Sequence, residues 1–393
     1  MRVELSNPQH PEYGTMAVWL PIHREHYQSV MERLATINIG DATTRDCRLN
    51  EVAAGLDVLR VLECSNVNIE ELDYLAKRLS SFDKYEKDQF QTMASKLDLT
   101  DMTDLINLTF CCQQATVITD FSDLEATGRR HYMNLNGGCA STEELDALDG
   151  QETALLLLDS GTGTVTPYGV VYDNGMKLEQ IYDGKHLPGY HYEPEVLMVG
   201  LTHRLEPENT EKITWMYFPA AKGQIERAML RSGIGDPDNM RFQFEDSLFP
   251  AGIQKILDYE WESIYDLNDL ALAVSELSRE DRVKLEAAAT MAEPETAEQI
   301  RHLAENLDLF QFAPGAHTPA EYGRYMIQKS GHFVYDSDLE EYYDYEKYGR
   351  QHINLECGTF TDRGYISYQG AMSLDELMME DPAEQHQQEM GGM

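Results

Sequence analysis

Ile69-Glu70-Glu71-Leu72-Asp73-Tyr74-Leu75-Ala76 and, 195 residues further on, Ile264-Tyr265-Asp266-Leu267-Asn268-Asp269-Leu270-Ala271 read as two versions of one helix. Apolar residues fall at Ile69, Leu72, Leu75, Ala76 and Leu79 in the first and at Ile264, Leu267, Leu270, Ala271 and Val274 in the second, which is amphipathic helical spacing. The same offset links Ile39-Gly40-Asp41 to Ile234-Gly235-Asp236 and Gly128-Arg129 to Gly323-Arg324. It also links Gly163-Thr164-Val165-Thr166-x-x-Gly169 to Gly358-Thr359-Phe360-Thr361-x-x-Gly364. Four matches at one offset point to tandem duplication of residues 1–172 as 196–372, with a period of domain size and too long for a solenoid unit.

Outward from that helix, each copy divides into three. Residues 1–66 and 196–262 carry strand-like runs, Met16-Ala17-Val18-Trp19-Leu20-Pro21 and Ile213-Thr214-Trp215-Met216-Tyr217-Phe218-Pro219. A helical stretch follows, then a turn at Gly40 or Gly235, then a second β-like run such as 240–244. Residues 67–112 and 263–308 hold the quoted helix, opened by the cap-and-third-residue pairs Asn68 with Glu71 and Ser263 with Asp266. Asp83 with Glu86 and Ser278 with Asp281 open a second helix, and a short helical bundle results. Residues 113–172 and 309–372 open on the cap signals Ser122-x-x-Glu125 and Thr318-Pro319-Ala320-Glu321 and close on β-like runs at 164–172 and 359–368. The expected fold is therefore α+β, two tandem copies each of three small domains: an α+β N-terminal unit, a helical bundle and an α+β C-terminal unit. Residues 173–195 read as a linker and 373–393 as a disordered acidic tail.

The 393 residues carry 69 Asp and Glu against 31 Lys and Arg, a formal charge of −38. The excess is shared, with 32 acidic against 15 basic residues through Glu195 and 37 against 16 after it. Hydrophobic residues at 42% and 22 tyrosines argue for a folded chain and against an acidic disordered one. Such charge destabilises a compact state by self-repulsion. Solubility or adaptation to high salt is one explanation; imitation of another polyanion is the sharper one. At one charge per about 1.7 Å of duplex axis, the net charge corresponds to about 65 Å, or about 19 base pairs. Basic patches for direct nucleic-acid binding are absent, and no apolar run reaches the ~18 residues of a membrane span. The six cysteines, Cys47, Cys64, Cys111, Cys112, Cys139 and Cys357, do not recur with the repeat, so reduced thiols in a cytoplasmic protein without a signal peptide are expected.

Catalytic motifs fail the same comparison. Leu158-Asp159-Ser160-Gly161-Thr162 is similar to the loop of aspartic proteases, whose chemistry needs two such carboxylates, but Asn354 stands at the matching place. A hydrolase using Asp159 is the third reading. His23 and His26, at ligand spacing, have no counterpart, and no phosphate loop, zincin helix or nucleophile elbow is present. No catalytic, cofactor or metal site is predicted.

What remains is acid interleaved with aromatic residues, densest in Tyr335-Asp336-Ser337-Asp338-Leu339-Glu340-Glu341-Tyr342-Tyr343-Asp344-Tyr345-Glu346, part of which reads as a solvated amphipathic helix. Eight pairs keep a carboxylate in both copies: Asp41/Asp236, Glu63/Asp258, Glu71/Asp266, Glu86/Asp281, Asp98/Glu293, Glu143/Asp338, Asp146/Glu341 and Asp149/Asp344. Glu71/Asp266 and Glu86/Asp281 also suit capping; the other pairs keep charge where helix propensity does not ask for it. The candidate partner-binding residues are Asp41, Glu63, Asp98, Glu143, Asp146 and Asp149 in the first copy. In the second they are Asp236, Asp258, Asp266, Asp269, Glu276, Asp281, Glu293, Asp338, Glu340, Glu341, Asp344 and Glu346.

These stretches resemble the ArdA-type antirestriction proteins of conjugative plasmids and transposons. Ile264 through Ala271, continuing to Ser275-Glu276-Leu277, is similar to the family's antirestriction motif. Tyr343-Asp344-Tyr345-Glu346-Lys347-Tyr348-Gly349-Arg350, followed by Gly358-Thr359-Phe360, is similar to its C-terminal signature. The first copy matches more loosely and has Leu148-Asp149-Gly150 in place of the signature. The resemblance implies an elongated protein of three small α/β domains per copy. Its acidic surface would mimic bent B-form DNA and occupy the DNA site of type I restriction-modification enzymes, without catalysis or cofactor. It also implies dimerisation through C-terminal domains, so that two copies in one chain form a pseudo-dimer or the chain forms a homodimer. An acidic module for another basic partner, such as a nucleoid protein or a conjugation component, is the alternative.

Overall fold

The computed structural model describes residues 1–190, 196–205, 213–331 and 334–379. The chain divides into two compact units, one of Met1–Tyr192, Asn209–Trp215 and Ala221–Gly235, the other of Glu193–Glu208, Met216–Ala220 and Asp236–Met393. Helices and small sheets are mixed in both, an α+β fold.

The first unit begins with strands β1 (Arg2–Ser6) and β2 (Thr15–Trp19), helix α1 (Arg24–Thr36), and strands β3 (Cys47–Ala54) and β4 (Asn66–Val67), in the sheet order β2-β1-β3-β4. Val3 of β1 lies opposite Val18 and Val52, and all three are buried, which pins the register because a one-residue slip would turn them to solvent. Three helices follow, α2 (Ile69–Ser81), α3 (Lys84–Lys96) and α4 (Met102–Leu108). Each begins on a cap: Asn68 accepts from the Glu70 and Glu71 N–H groups, Asp83 and Glu86 form a capping box, and Asp101 accepts from Thr103. Ile69, Leu72, Leu75, Ala76 and Leu79 are all buried, as their spacing predicts.

The last part of this unit holds β5 (Thr116–Ile118), helices α5 (Leu124–Leu135), α6 (Thr142–Ala147) and α7 (Gly150–Asp159), and β6 (Thr164–Thr166) with β7 (Gly169–Tyr172), in the sheet order β5-β7-β6. Helix α5 is capped by Asp123, which accepts from the Ala126 N–H; the expected cap Ser122 instead donates its own N–H to Asp120. Residues 173–190, expected as part of a linker, form no regular element yet are anchored. Tyr182 is fully buried, and its backbone exchanges hydrogen bonds with the Asn107 amide at 2.6 and 3.1 Å. Lys96 pairs with Asp173 at 2.5 Å, and the Tyr74 hydroxyl donates to the Pro188 carbonyl at 2.7 Å. The segment's tyrosines supply enough apolar surface to hold it down.

Strands β8 (Leu197–His203) and β9 (Thr214–Phe218), helix α8 (Lys222–Ser232) and strand β10 (Met240–Ser247) come next, with sheet order β10-β8-β9; α8 itself belongs to the first compact unit. The second unit continues with α9 (Ala251–Ile256), α10 (Ile264–Glu276), α11 (Arg279–Ala292) and α12 (Ala297–Glu305), the last three capped by Ser263, Ser278 and Thr296. Then follow β11 (Phe310–Pro314), α13 (Pro319–Gln328), α14 (Tyr345–Glu356), β12 (Thr359–Thr361) and β13 (Gly364–Tyr368), in the sheet order β11-β13-β12. Thr318 caps α13 with Pro319 at its first position, as expected. The expected disordered tail needs correction at its start. Helix α15 (Leu374–Met379) buries Leu377 and Met378, and His302 Nδ1 lies 2.9 Å from the Met378 carbonyl oxygen. Residues 380–393 lie outside the described residues.

The recurring glycines have a packing explanation. In the β6–β7 and β12–β13 hairpins the Thr166 and Thr361 hydroxyls donate to the Gly169 and Gly364 carbonyls at 3.0 and 2.8 Å, and the two glycines share φ near +139°, a region open to glycine. Gly323 and Gly349 lie where α13 and α14 cross: a Cβ on Gly323 would overlap the Tyr345 carbonyl oxygen, and one on Gly349 that of Pro319. Gly128 and Gly150 meet the same constraint between α5 and α7. Gly349→Ala is therefore expected to destabilise the second unit by about 1–3 kcal/mol, the usual cost of overpacking. A urea midpoint equal to that of the parent would show that the helices separate freely.

Candidate acidic interaction surface

Of the eighteen candidate carboxylates, fifteen are exposed and three, Glu63, Asp266 and Asp281, are half-buried. Many also have local structural duties. Partial burial opposes the charge of Asp41, yet the Thr43 and Thr44 N–H groups and the Thr43 hydroxyl, at 2.7–2.9 Å, hold its carboxyl down at about 2. Asp236 and Asp258 accept from the Asp238 and Glu260 N–H groups, and Glu63 accepts from Val52. Asp149 and Asp344 cap α7 and α14, so retention of this pair is explained by helix capping, which the sequence reading did not assign to it. Asp281 accepts from the Ser278 hydroxyl at 2.7 Å. Asp98 and Glu293 sit at the ends of α3 and α11 with the same left-handed φ of +52°.

Glu143 and Asp146 stand on α6, and their counterparts Asp338 and Glu341 stand on a 3-10 helix over Ser337–Tyr342. The dense acidic stretch is thus not one helix. Asp336 caps the 3-10 segment, Asp344 caps α14, and the chain is extended at Tyr343 between them. Tyr343 and Tyr345 are half-buried with ring centroids 5.8 Å apart, and the Arg324 guanidinium lies 5.0 Å from the Tyr345 ring centre. Glu340, Glu346, Glu276 and Asp269 are exposed, and Glu346 pairs with Arg350 at 2.7 Å.

The two motif helices differ sharply in electrostatics. On α2, every carboxylate of the first turns faces a cation. Glu70 pairs with Arg227 and accepts from the Tyr27 hydroxyl at 2.6 Å. Glu71, 2% exposed, pairs with Arg45 at 3.0 Å and accepts from the Tyr182 hydroxyl at 2.8 Å. Asp73, also buried, pairs with Lys77 at 3.0 Å and accepts from the Ile22 N–H at 2.6 Å. On α10 the neighbours are mostly of like sign. Burial lifts the Asp266 carboxyl above its ordinary value, and Glu298 and Asp269 lift it further against the pull of Arg301. Burial also lifts Glu262; the Ala297 N–H opposes this, and Asp266 and Asp258 add to it.

Glu262 and Glu298 were not among the expected residues. At the repeat offset Val67 and Thr103 occupy their places, so comparison of the copies passes over them. Asp159 is exposed at the end of α7, and His23 and His26 are exposed before and within α1. Among the described residues no group of three or more His, Cys, Asp or Glu could hold a metal, and no helix is long and apolar enough to cross a membrane.

Residues 213–367 match the model of the family described as Antirestriction protein (ArdA). The match runs from just before β9 into β13 and so takes in the motif helix α10 and the signature at α14. No curated protein matches the chain.

Proposed function

We propose that this protein is an antirestriction protein of ArdA type, made of two tandem copies, which acts as an acidic mimic of B-form DNA. It occupies the DNA-binding cleft of a type I restriction-modification enzyme and inhibits by competition, with no catalytic step and no cofactor. The observation that carries this reading is that the family match takes in the motif helix α10, whose surroundings hold mutually repelling carboxylates. Carboxylates held near one another at a cost in repulsion gain most from a cationic cleft, because the partner's charges replace the missing counter-charges. The tandem reading is supported by the repetition of element order. Helices α2, α3, α4 and α5 begin 195 residues before α10, α11, α12 and α13, and the sheets β5-β7-β6 and β11-β13-β12 share one strand order.

Binding of this kind is steered by charge and screened by salt. Affinity for a purified type I methyltransferase is expected to fall about a hundred-fold or more between about 0.05 and about 0.3 M salt, and duplex DNA should displace the protein. In cells, unmodified phage DNA should be protected only where a type I system is present. A salt-independent complex, or one that DNA leaves intact, would remove mimicry and favour an acidic module for a different basic partner.

A further inference from the structure

We infer that the first unit contains a two-arginine socket, filled in this chain by its own helix α8, which closes the first copy's motif helix to outside partners. The inference rests on the mimicry reading only for the identity of the outside partner. Arg231 is 2% exposed. Its guanidinium donates to the Ala42 carbonyl and Asn68 Oδ1 at 2.9 Å each, to the Lys185 carbonyl at 3.1 Å and to the Tyr182 hydroxyl at 2.6 Å. Arg227, one helical turn earlier on the same face, pairs with Glu70 and donates to the Gly40 carbonyl at 2.6 Å.

Four of the six acceptors, Gly40, Ala42, Asn68 and Glu70, come from the turn that carries Gly40 and from the start of α2, both recurring features of the two copies; Lys185 and Tyr182 belong to the 173–190 segment. A cation beside a helix N-terminus is opposed by the helix dipole, so the pair is held there by directed acceptors and not by the general field. The arginines are particular to the second copy: at the repeat offset α1 has Glu32 and Thr36 in their places. An isolated first copy would leave Glu70 without Arg227. In the tandem chain that acid is spoken for, so each chain offers one open motif helix, α10.

The test uses the full chain, the double variant Arg227→Gln/Arg231→Gln and the single variant Arg227→Gln, whose side chain is 16% exposed and whose loss disturbs the interior less. Hydrogen exchange should show the first turn of α2 and α8 losing protection at least about ten-fold in the double variant while α3 and α7 keep theirs, and a smaller loss in the single variant. Mass photometry with a type I methyltransferase should give one enzyme per parent chain and a second on the double variant. Unchanged protection in both variants, or two enzymes bound equally by the parent, overturns the socket. If the double variant does not fold, the single variant decides by exchange and by a second, weaker uptake. A parent chain that binds no enzyme defeats the mimicry reading, while exchange still decides the socket.

Discussion

The triple substitution Asp266→Asn, Asp269→Asn and Glu298→Gln is expected to weaken binding to a type I enzyme about a hundred-fold and, at the same time, to stabilise the second unit. One half-buried and two exposed charges meeting cations contribute about 0.5–1 kcal/mol each, about 1.5–3 kcal/mol together, the upper end of which is roughly two orders of magnitude in affinity. The stability effect has the opposite sign because Asp266 is raised by burial and by the other two carboxylates, so its charge is disfavoured in the folded state. Glu262 is left unchanged because its carboxylate accepts from the Ala297 N–H at the start of α12, and its loss would uncap that turn.

Asp266 and Glu262 also give the α10 and α12 part of the second unit a pH dependence of its own. The folded pKa values of Asp266 and Glu262 lie above the ordinary 3.8 and 4.5, so the folded state binds more protons than the unfolded state between those values and the raised ones. Stability therefore falls as pH rises through that window and is regained as pH drops back through it. The parent should show this recovery in exchange-resolved unfolding of α10 and α12, and the triple variant should show less of it. Weaker binding without any gain in the urea midpoint would mean that the carboxylates do not repel one another in the free protein. A gain in stability with unchanged affinity would remove α10 from the binding surface.

The parts of the fold that were legible in the sequence are those whose causes are local. Helices α2, α3, α10 and α11 announce themselves through an apolar period and a cap three residues before a Glu or Asp, and α13 through the cap Thr318 with Pro319 behind it; all of these act within a few residues. Strand β1 is passed over although Val3 and Leu5 alternate with Arg2 and Glu4, because two apolar positions do not distinguish a strand from an irregular terminus; only pairing with Val18 and Val52 does. A carboxylate kept in both copies is selected for what the copies share, and caps and turns are shared; this explains Asp149, Asp344, Asp41 and Asp236. Residues that make the copies unlike, Glu262, Glu298, Arg227 and Arg231, are removed by that filter. Arg227 meets Glu70 on α2, whereas Glu262 and Glu298 add like charge beside Asp266.

The sharpest expression of that asymmetry is a single position substituted in each half. Glu71 and Asp266 correspond at the repeat offset, yet Glu71→Gln is expected to destabilise the first unit by about 3 kcal/mol, whereas Asp266→Asn should stabilise the second. Glu71 binds Arg45 with both oxygens, at 3.0 and 3.2 Å, and accepts from Tyr182, whose hydroxyl in turn receives Arg231. Removal of the charge leaves a buried hydroxyl and a guanidinium facing a neutral amide, and breaking a buried pair costs about 3–5 kcal/mol. The lower end applies because Arg45 is 35% exposed, can take up water and keeps Asp101 at 2.8 Å. A double-mutant cycle with Arg45→Met should show a coupling of about 1–2 kcal/mol between the two residues, since each loses little more once the other is gone. Equal effects of Glu71→Gln and Asp266→Asn on the unfolding of their respective units would mean that the two motif helices share one electrostatic environment, and the division of labour between the copies would fall with it.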